Sequence, residues 1–216
     1  MNTITLAAIR TTLTACFEAQ TAATATWHDH EPADPAVPVT ASLEALHQLV
    51  LAQHLMNFRL WHVEDTARRR DVDDAVIAGC KRTIDGLNQR RNDFMEKVDG
   101  CLVALLEPYL PANAADHQNT ESLGMAIDRL SIMSLKIFHM HEQTVRTDVD
   151  EAHRESCRGK LAVLHEQRAD LGRAVLDLVD AFAAGTKRPK LYFQFKMYND
   201  PALNPELYGA GQGRKA

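Results

Sequence analysis

The sequence lacks most of the features by which an activity announces itself. Cysteine is sparse, four in 216 residues, and Cys16, Cys80, Cys101 and Cys157 stand in neither a CxxC nor a Cys/His zinc spacing. That excludes a disulfide framework and a zinc ribbon and leaves reduced, partly buried thiols as the expectation. There is no Gly-rich phosphate loop, no nucleophile elbow and no His-Glu-x-x-His, so any chemistry has to be carboxylate, amide or metal based. No apolar run approaches the ~20 residues that cross a bilayer. The opening MNTITLAAIR has neither the basic nor the apolar region of a signal peptide, and a cytoplasmic chain is expected. Positive charge is not in excess: the formal net charge is −5, which argues against nucleic acid as an obligate partner. Arg68, Arg69 and Arg70 form one short basic run, read as solvated at a helix end. Strand alternation of useful length and internal repeats are also missing.

What is present is helical periodicity. The fold expected is all-α: an antiparallel bundle of four long helices with a shorter N-terminal helix and an irregular aromatic C-terminal strap. Residues 1–26 form the N-terminal helix through Ile4, Leu6, Ile9, Leu13, Cys16 and Phe17. Residues 27–41 are a crossover loop marked by Pro32, Pro35 and Pro38. The core, 42–185, begins with a helix from Ser42 to Arg70, with Thr40 or Ser42 as N-cap. A turn at Asp71–Asp74 leads into a helix ending near Glu107. Gly79, Gly86 and Gly100 lie on one side of it, where a neighbouring backbone could approach closely. After Pro108 and Pro111 come helices from Glu121 to Arg146 and from Asp150 to Gly185, the last closed by Gly185 and Pro189. Residues 186–216, with KLYFQFKMYNDPALNPELYG, are too apolar to trail in water and are expected to strap back onto the bundle.

Polar residues interrupt the second helix. The stripe that starts as Leu43, Leu46 and Val50 continues as Asn57, Trp61, Glu64 and Arg68, with Asp65 beside it. A buried polar group left unpaired costs ~1–3 kcal/mol, so such a stripe needs partners or a cavity. The third helix has a matching ridge at Asp85, Asn88, Asn92, Glu96 and Asp99. With the turn near residues 72 and 73, antiparallel partners sum to about 145. Asn57 then faces Asn88, Trp61 faces Ile84 and Asp85, and Gln53 faces Asn92. The candidate pocket is therefore Asn57, Trp61, Glu64, Asp65, Asp85, Asn88 and Asn92. The competing reading is a hydrogen-bonded polar layer, with Arg68 and Arg91 as internal counter-ions, that sets helix register. Arg129 and Lys136, seven apart on the fourth helix, add a possible anion clamp that Asp128 could orient; an exposed charged face is the alternative.

Ten histidines invite a metal reading. Glu44-x-x-His47 has the spacing of di-metal carboxylate bundles, which need the motif twice, and it occurs once. His139 and His141, two apart, point to different sides of a helix. No histidine metal site emerges; Glu64, Asp65 and Asp85 could instead hold Mg²⁺, which prefers oxygen ligands.

NFRLWHVEDTARR (Asn57 to Arg69), IDGLNQRRNDFMEKVD (Ile84 to Asp99), GMAIDRLSIMSLKIFHM (Gly124 to Met140) and QFKMYNDPALNPELY (Gln194 to Tyr208) resemble a bacterial family known only as a domain of unknown function, number four-two-five-four. The blocks follow the family's order over most of the chain after the first loop. The resemblance implies a setting beside glycosyltransferase genes in cell-surface polysaccharide biosynthesis, and it supplies no catalytic residues. Its motif positions here are Asn57, Trp61, Glu64, Asp65, Arg68, Asp85, Asn88, Arg91, Asn92, Asp128, Arg129 and Lys136.

Three functions compete. The first is an accessory or ligand-binding protein of surface-glycan assembly, holding a nucleotide-sugar or docking onto a glycosyltransferase. The second is a Mg²⁺-dependent nucleoside phosphate hydrolase. The all-α pyrophosphohydrolases use Glu-Glu-x-x-Glu with Glu-x-x-Asp; here Glu64-Asp65-x-x-Arg68 puts a base where the third acid belongs. The one good Glu-x-x-Asp, Glu96 to Asp99, lies about 24 Å too far up the hairpin. The third is a structural bundle whose stripes form a homodimer.

Overall fold

Four short polar side chains start four of the five long helices. Thr5, Ser42, Ser122 and Asp150 each accept a hydrogen bond from the amide three residues ahead, that of Ala8, Ala45, Met125 and His153, at 3.1, 3.0, 3.2 and 2.8 Å. Each satisfies one of the amides that a helix N-terminus leaves without a partner. The helices are α1 (Leu6–Asp29), α2 (Leu43–Ala67), α3 (Asp74–Leu106), α4 (Leu123–Thr144) and α5 (Glu151–Ala183), with a short α6 (Pro205–Tyr208). These come from a computed structural model that describes residues 4–208; among the described residues there is no strand. No described helix is long and apolar enough to cross a membrane.

Side-chain contacts fix the helix directions. Cys101 Sγ sits 3.8 Å from the Ser42 carbonyl, so the end of α3 lies beside the start of α2. Asp99 meets Gly124 and Arg91 meets Asp128, which runs α3 against α4; Arg168 meets Ser134, which runs α4 against α5. Helix α1 runs parallel to α2, since Thr24 reaches His54 and Trp27 packs on Phe58. This is possible because the proline-rich segment carries the chain back along the bundle. Arg59 fastens that segment, bonding Glu31 at 2.6 Å, Asp34 and the Pro32 carbonyl.

The N-terminal helix differs from the expectation. It is as long as α2, 24 residues against 25, and is part of the core: Ile9, Leu13 and Cys16 are fully buried. It also runs past residue 26, because Trp27 and His28 pack on His54 and Phe58 rather than entering the loop. Burial pushes the Cys16 thiol up to about 12, which makes it inert. All four cysteines are buried and free.

The glycine stripe of α3 is also corrected. A Cβ at Gly79, Gly86 or Gly100 would meet nothing within 4 Å. The close approach is at Gly124 instead, where a Cβ would fall 2.5 Å from the Met95 carbonyl oxygen. There the buried Asp99 accepts from the Gly124 amide at 2.7 Å, docking the first turn of α4 on α3. Gly185 closes α5 in the left-handed region at φ 69°.

The C-terminal segment follows α3 through polar contacts. The Gln194 amide donates to Glu96 and Lys196 Nζ to the Asn88 carbonyl, both at 2.8 Å. Its aromatic side chains do not cover the bundle: Tyr192, Phe193, Phe195 and Tyr198 are all exposed. The last residues of the expected strap, 209–216, lie outside the described residues.

Candidate functional site

The polar stripe of α2 meets two helices rather than one. Hairpin register brings α3 beside it, but the centre of the network is Asp128 on α4, 3% exposed. Its carboxylate accepts from Asn57 Nδ2 at 2.9 Å, from Arg91 Nε at 2.8 Å, and from Arg91 Nη2 and Gln53 Nε2. Asp128 therefore does not orient Arg129, whose guanidinium pairs with Glu121 on the outside. The anionic partner raises the Arg91 pKa further, against the opposing effect of burial.

A relay of hydrogen bonds continues from Asn57 into the core. Asn57 Nδ2 also donates to Ser131 Oγ at 2.9 Å. Ser131 Oγ lies 2.7 Å from His54 Nδ1, and His54 Nε2 lies 3.0 Å from Thr24 Oγ1. Thr24 in turn donates to the Gln20 carbonyl at 2.9 Å. One assignment satisfies every donor: Ser131 donates to His54 Nδ1, and His54 Nε2–H donates to Thr24. A neutral imidazole is required, and burial holds the His54 pKa down to about 3. The relay ties α1, α2 and α4 together at one level.

Above this layer is a cleft of about 350 Å³ lined by Asn57, Leu60, Trp61, Glu64, Asp65, Arg68, Asn88, Arg91, Ile132 and Leu135. Both N–H groups of Asn57 are committed to Asp128 and Ser131, so its Oδ1 is the atom left for the cleft. Arg91 bonds Asp128 through Nε and Nη2, and its Nη1 has no hydrogen-bond partner among the described residues. Asp85 does not line the cleft; it pairs with Lys81 on its own helix, and Glu64 pairs with Arg68 at 2.8 Å on its own. Arg68 is thus an exposed cation and not an internal counter-ion. Asn92 is buried and does not line the cleft. Among the described residues, Glu64, Asp65 and Asp85 do not converge as a metal-holding group.

Trp61 is the wall between this cleft and a second, more apolar groove of about 850 Å³. The groove lies between α4 and α5, with Lys136, His139 and Met140 on one side and Gly159, Lys160 and Leu164 on the other. Lys136 and Arg129 share an exposed face but form no closed clamp: both border a shallow depression with Ile132 and Leu171.

Sequence reasoning missed a histidine cluster at the Trp61 end of the bundle. His28 of α1, His62 of α2 and His139 of α4 bring one ring nitrogen each to within 4.8 Å of the others. No spacing rule could reveal it, because each residue comes from a different helix and the parallel register of α1, α2 and α4 is not encoded in any hairpin turn.

Fold and site together define an all-α protein with a carboxylate-centred polar layer beneath a mixed-charge cleft. The family model described as Protein of unknown function (DUF4254) matches residues 47–191, and the chain belongs to that family. No curated protein and no solved structure gives a significant match.

Proposed function

We propose that the protein is a ligand-binding or accessory protein, and that the cleft between α2, α3 and α4 takes a hydroxyl-rich, anionic small molecule of the nucleotide-sugar class. The observation that carries this reading is the fixed orientation of Asn57 and Arg91. Asp128 holds both, leaving Asn57 Oδ1 to accept a hydroxyl and Arg91 Nη1, with Arg68 nearby, to meet phosphate. Trp61 supplies an aromatic wall against which a ring can stack. A placement in surface-polysaccharide assembly, beside a glycosyltransferase, rests on the family resemblance alone. Glu64 paired with Arg68 and Asp85 with Lys81, each on its own helix, and no convergence of these two with Asp65 among the described residues, count against the Mg²⁺ hydrolase.

Calorimetric titration of a nucleotide-sugar panel tests the proposal. Saturable binding by the wild type that is lost in Trp61→Ala and Asn88→Ala is expected. If no member of the panel binds and no glycosyltransferase co-purifies with the full chain, the proposal fails.

A further inference from the structure

We propose that His28, His62 and His139 form a binding site for one divalent transition-metal ion of the Zn²⁺ class. The site lies outside the polar cleft and meets it only at Trp61, which lines the cleft and stacks on His139.

One ring nitrogen of each histidine is already in use. His28 Nδ1 lies 2.6 Å from the Thr24 carbonyl, His62 Nδ1 lies 2.9 Å from the Phe58 carbonyl, and His139 Nδ1 lies 2.7 Å from Glu142 Oε2. Carbonyl and carboxylate oxygens only accept, so each Nδ1 carries the proton and each Nε2 presents a lone pair. This is the arrangement metal-binding histidines adopt, with the second nitrogen donating to a carbonyl or carboxylate that fixes tautomer and ring direction. In His28 and His139 the Nε2 atoms are buried and have no hydrogen-bond partner. Buried acceptors facing one another without a donor are costly. A cation coordinated by them removes that cost.

Ring geometry agrees. With Zn–N bonds of ~2.0–2.1 Å, three imidazoles radiating tetrahedrally from one ion have centroids about 5 Å apart. The observed separations are 5.0 Å for His28–His62, 5.1 Å for His28–His139 and 6.0 Å for His62–His139. Nitrogens up to 4.8 Å apart need to close to about 3.4 Å around the ion, a movement within reach of small side-chain rotations. Two rings are already clamped. His28 stacks on Phe138 at 4.2 Å and 18°, and His139 stacks on Trp61 at 4.7 Å and 8°. His62 is the exposed member, so the ion has a route from solvent. Three protein nitrogens leave a fourth position for water or an anionic group. The chemistry selects the ion: imidazoles favour Zn²⁺ and its neighbours over Mg²⁺ or Ca²⁺. His28 precedes the family-matched span of residues 47–191, so α1 completes the site from outside it.

The test uses the full chain without an affinity tag, stripped with a chelator and titrated with Zn²⁺ by calorimetry. Mg²⁺ serves as the competing hard ion. One Zn²⁺ per chain is expected, undisturbed by millimolar Mg²⁺. His62→Ala removes an exposed ring, keeps the helical circular dichroism of the wild type, and weakens binding more than about tenfold. His141→Ala, outside the cluster, leaves binding intact. Co²⁺ loaded in place of Zn²⁺ gives the intense visible absorption of a four-coordinate site. Full affinity in His62→Ala, equal losses in His141→Ala, or no Zn²⁺ binding by the folded chain would each overturn the proposal.

Discussion

Replacing Asp128 with alanine probes the polar layer at its centre. The carboxylate is 3% exposed and accepts hydrogen bonds from Gln53, Asn57 and two nitrogens of Arg91. Breaking a buried ion pair by removing one partner costs roughly 3–5 kcal/mol. The Arg91 side chain is 24% exposed and can turn toward water in the cleft, so the expected loss is at the lower end, about 3 kcal/mol. Gln53 and Asn57 cannot turn away as easily and set a floor of roughly 1–3 kcal/mol for donors stripped of their acceptor. Arg91→Ala strands the buried carboxylate with only its two amide donors and should cost at least as much, about 3–5 kcal/mol. Because the two residues share one interaction, the double variant should be less destabilised than the sum of the singles, by about 0.5–3 kcal/mol. Urea unfolding followed by circular dichroism measures all four corners of the cycle. A loss below about 1 kcal/mol in Asp128→Ala, or strict additivity, would refute the assignment of Asp128 as the hub.

Further outcomes follow from the same geometry. His54 has a folded pKa of about 3 against an unfolded value near 6.5. Its contribution to stability is complete above pH ~6.5 and is lost progressively as pH falls toward 3, reaching about 2 kcal/mol by pH 5. Urea midpoints of wild type and His54→Gln should accordingly converge over that interval, and parallel pH profiles would count against a neutral buried imidazole. Gly124→Ala forces a methyl group against the Met95 carbonyl and the Asp99 carboxylate and should cost about 1–3 kcal/mol in thermal or chemical unfolding. Gly100→Ala, in open space, should be neutral or stabilising by up to about 1 kcal/mol. Ser122→Ala removes the cap of α4 and should lower stability by about 1 kcal/mol.

Much of the helical pattern was legible because caps and breakers are local. Ser42, the Asp71–Asp74 turn, Gly185 and Pro189 bracket the helices within a few residues of where they fall. The end of α1 was not legible: its threonines have modest helix propensity, and only tertiary packing of Trp27 and His28 on α2 carries the helix to Asp29. Hairpin register placed Asn57 opposite Asn88, and the two border one cleft; it placed Trp61 opposite Ile84 and Asp85, neither of which lines that cleft. The same register could not show that Asn57 turns to Asp128, or that Trp61 stacks on His139, because α2 and α4 are not sequence neighbours and their relative shift depends on the whole loop-and-helix path between them. Asp85 illustrates a second limit. Periodicity put it on the right helix, but a lysine one turn earlier took its carboxylate at the surface.

The cleft is proposed to be a ligand site whose polar groups Asp128 holds ready. Nitrogen-15 spectra of the side-chain amides of Asn57 and Asn88 and of the Trp61 indole, recorded as nucleotide-sugar is added, test this most directly. Concerted, saturable shifts of all three signals are predicted. Signals that stay in place up to millimolar ligand, or shifts confined to residues of the α4–α5 groove, would contradict it.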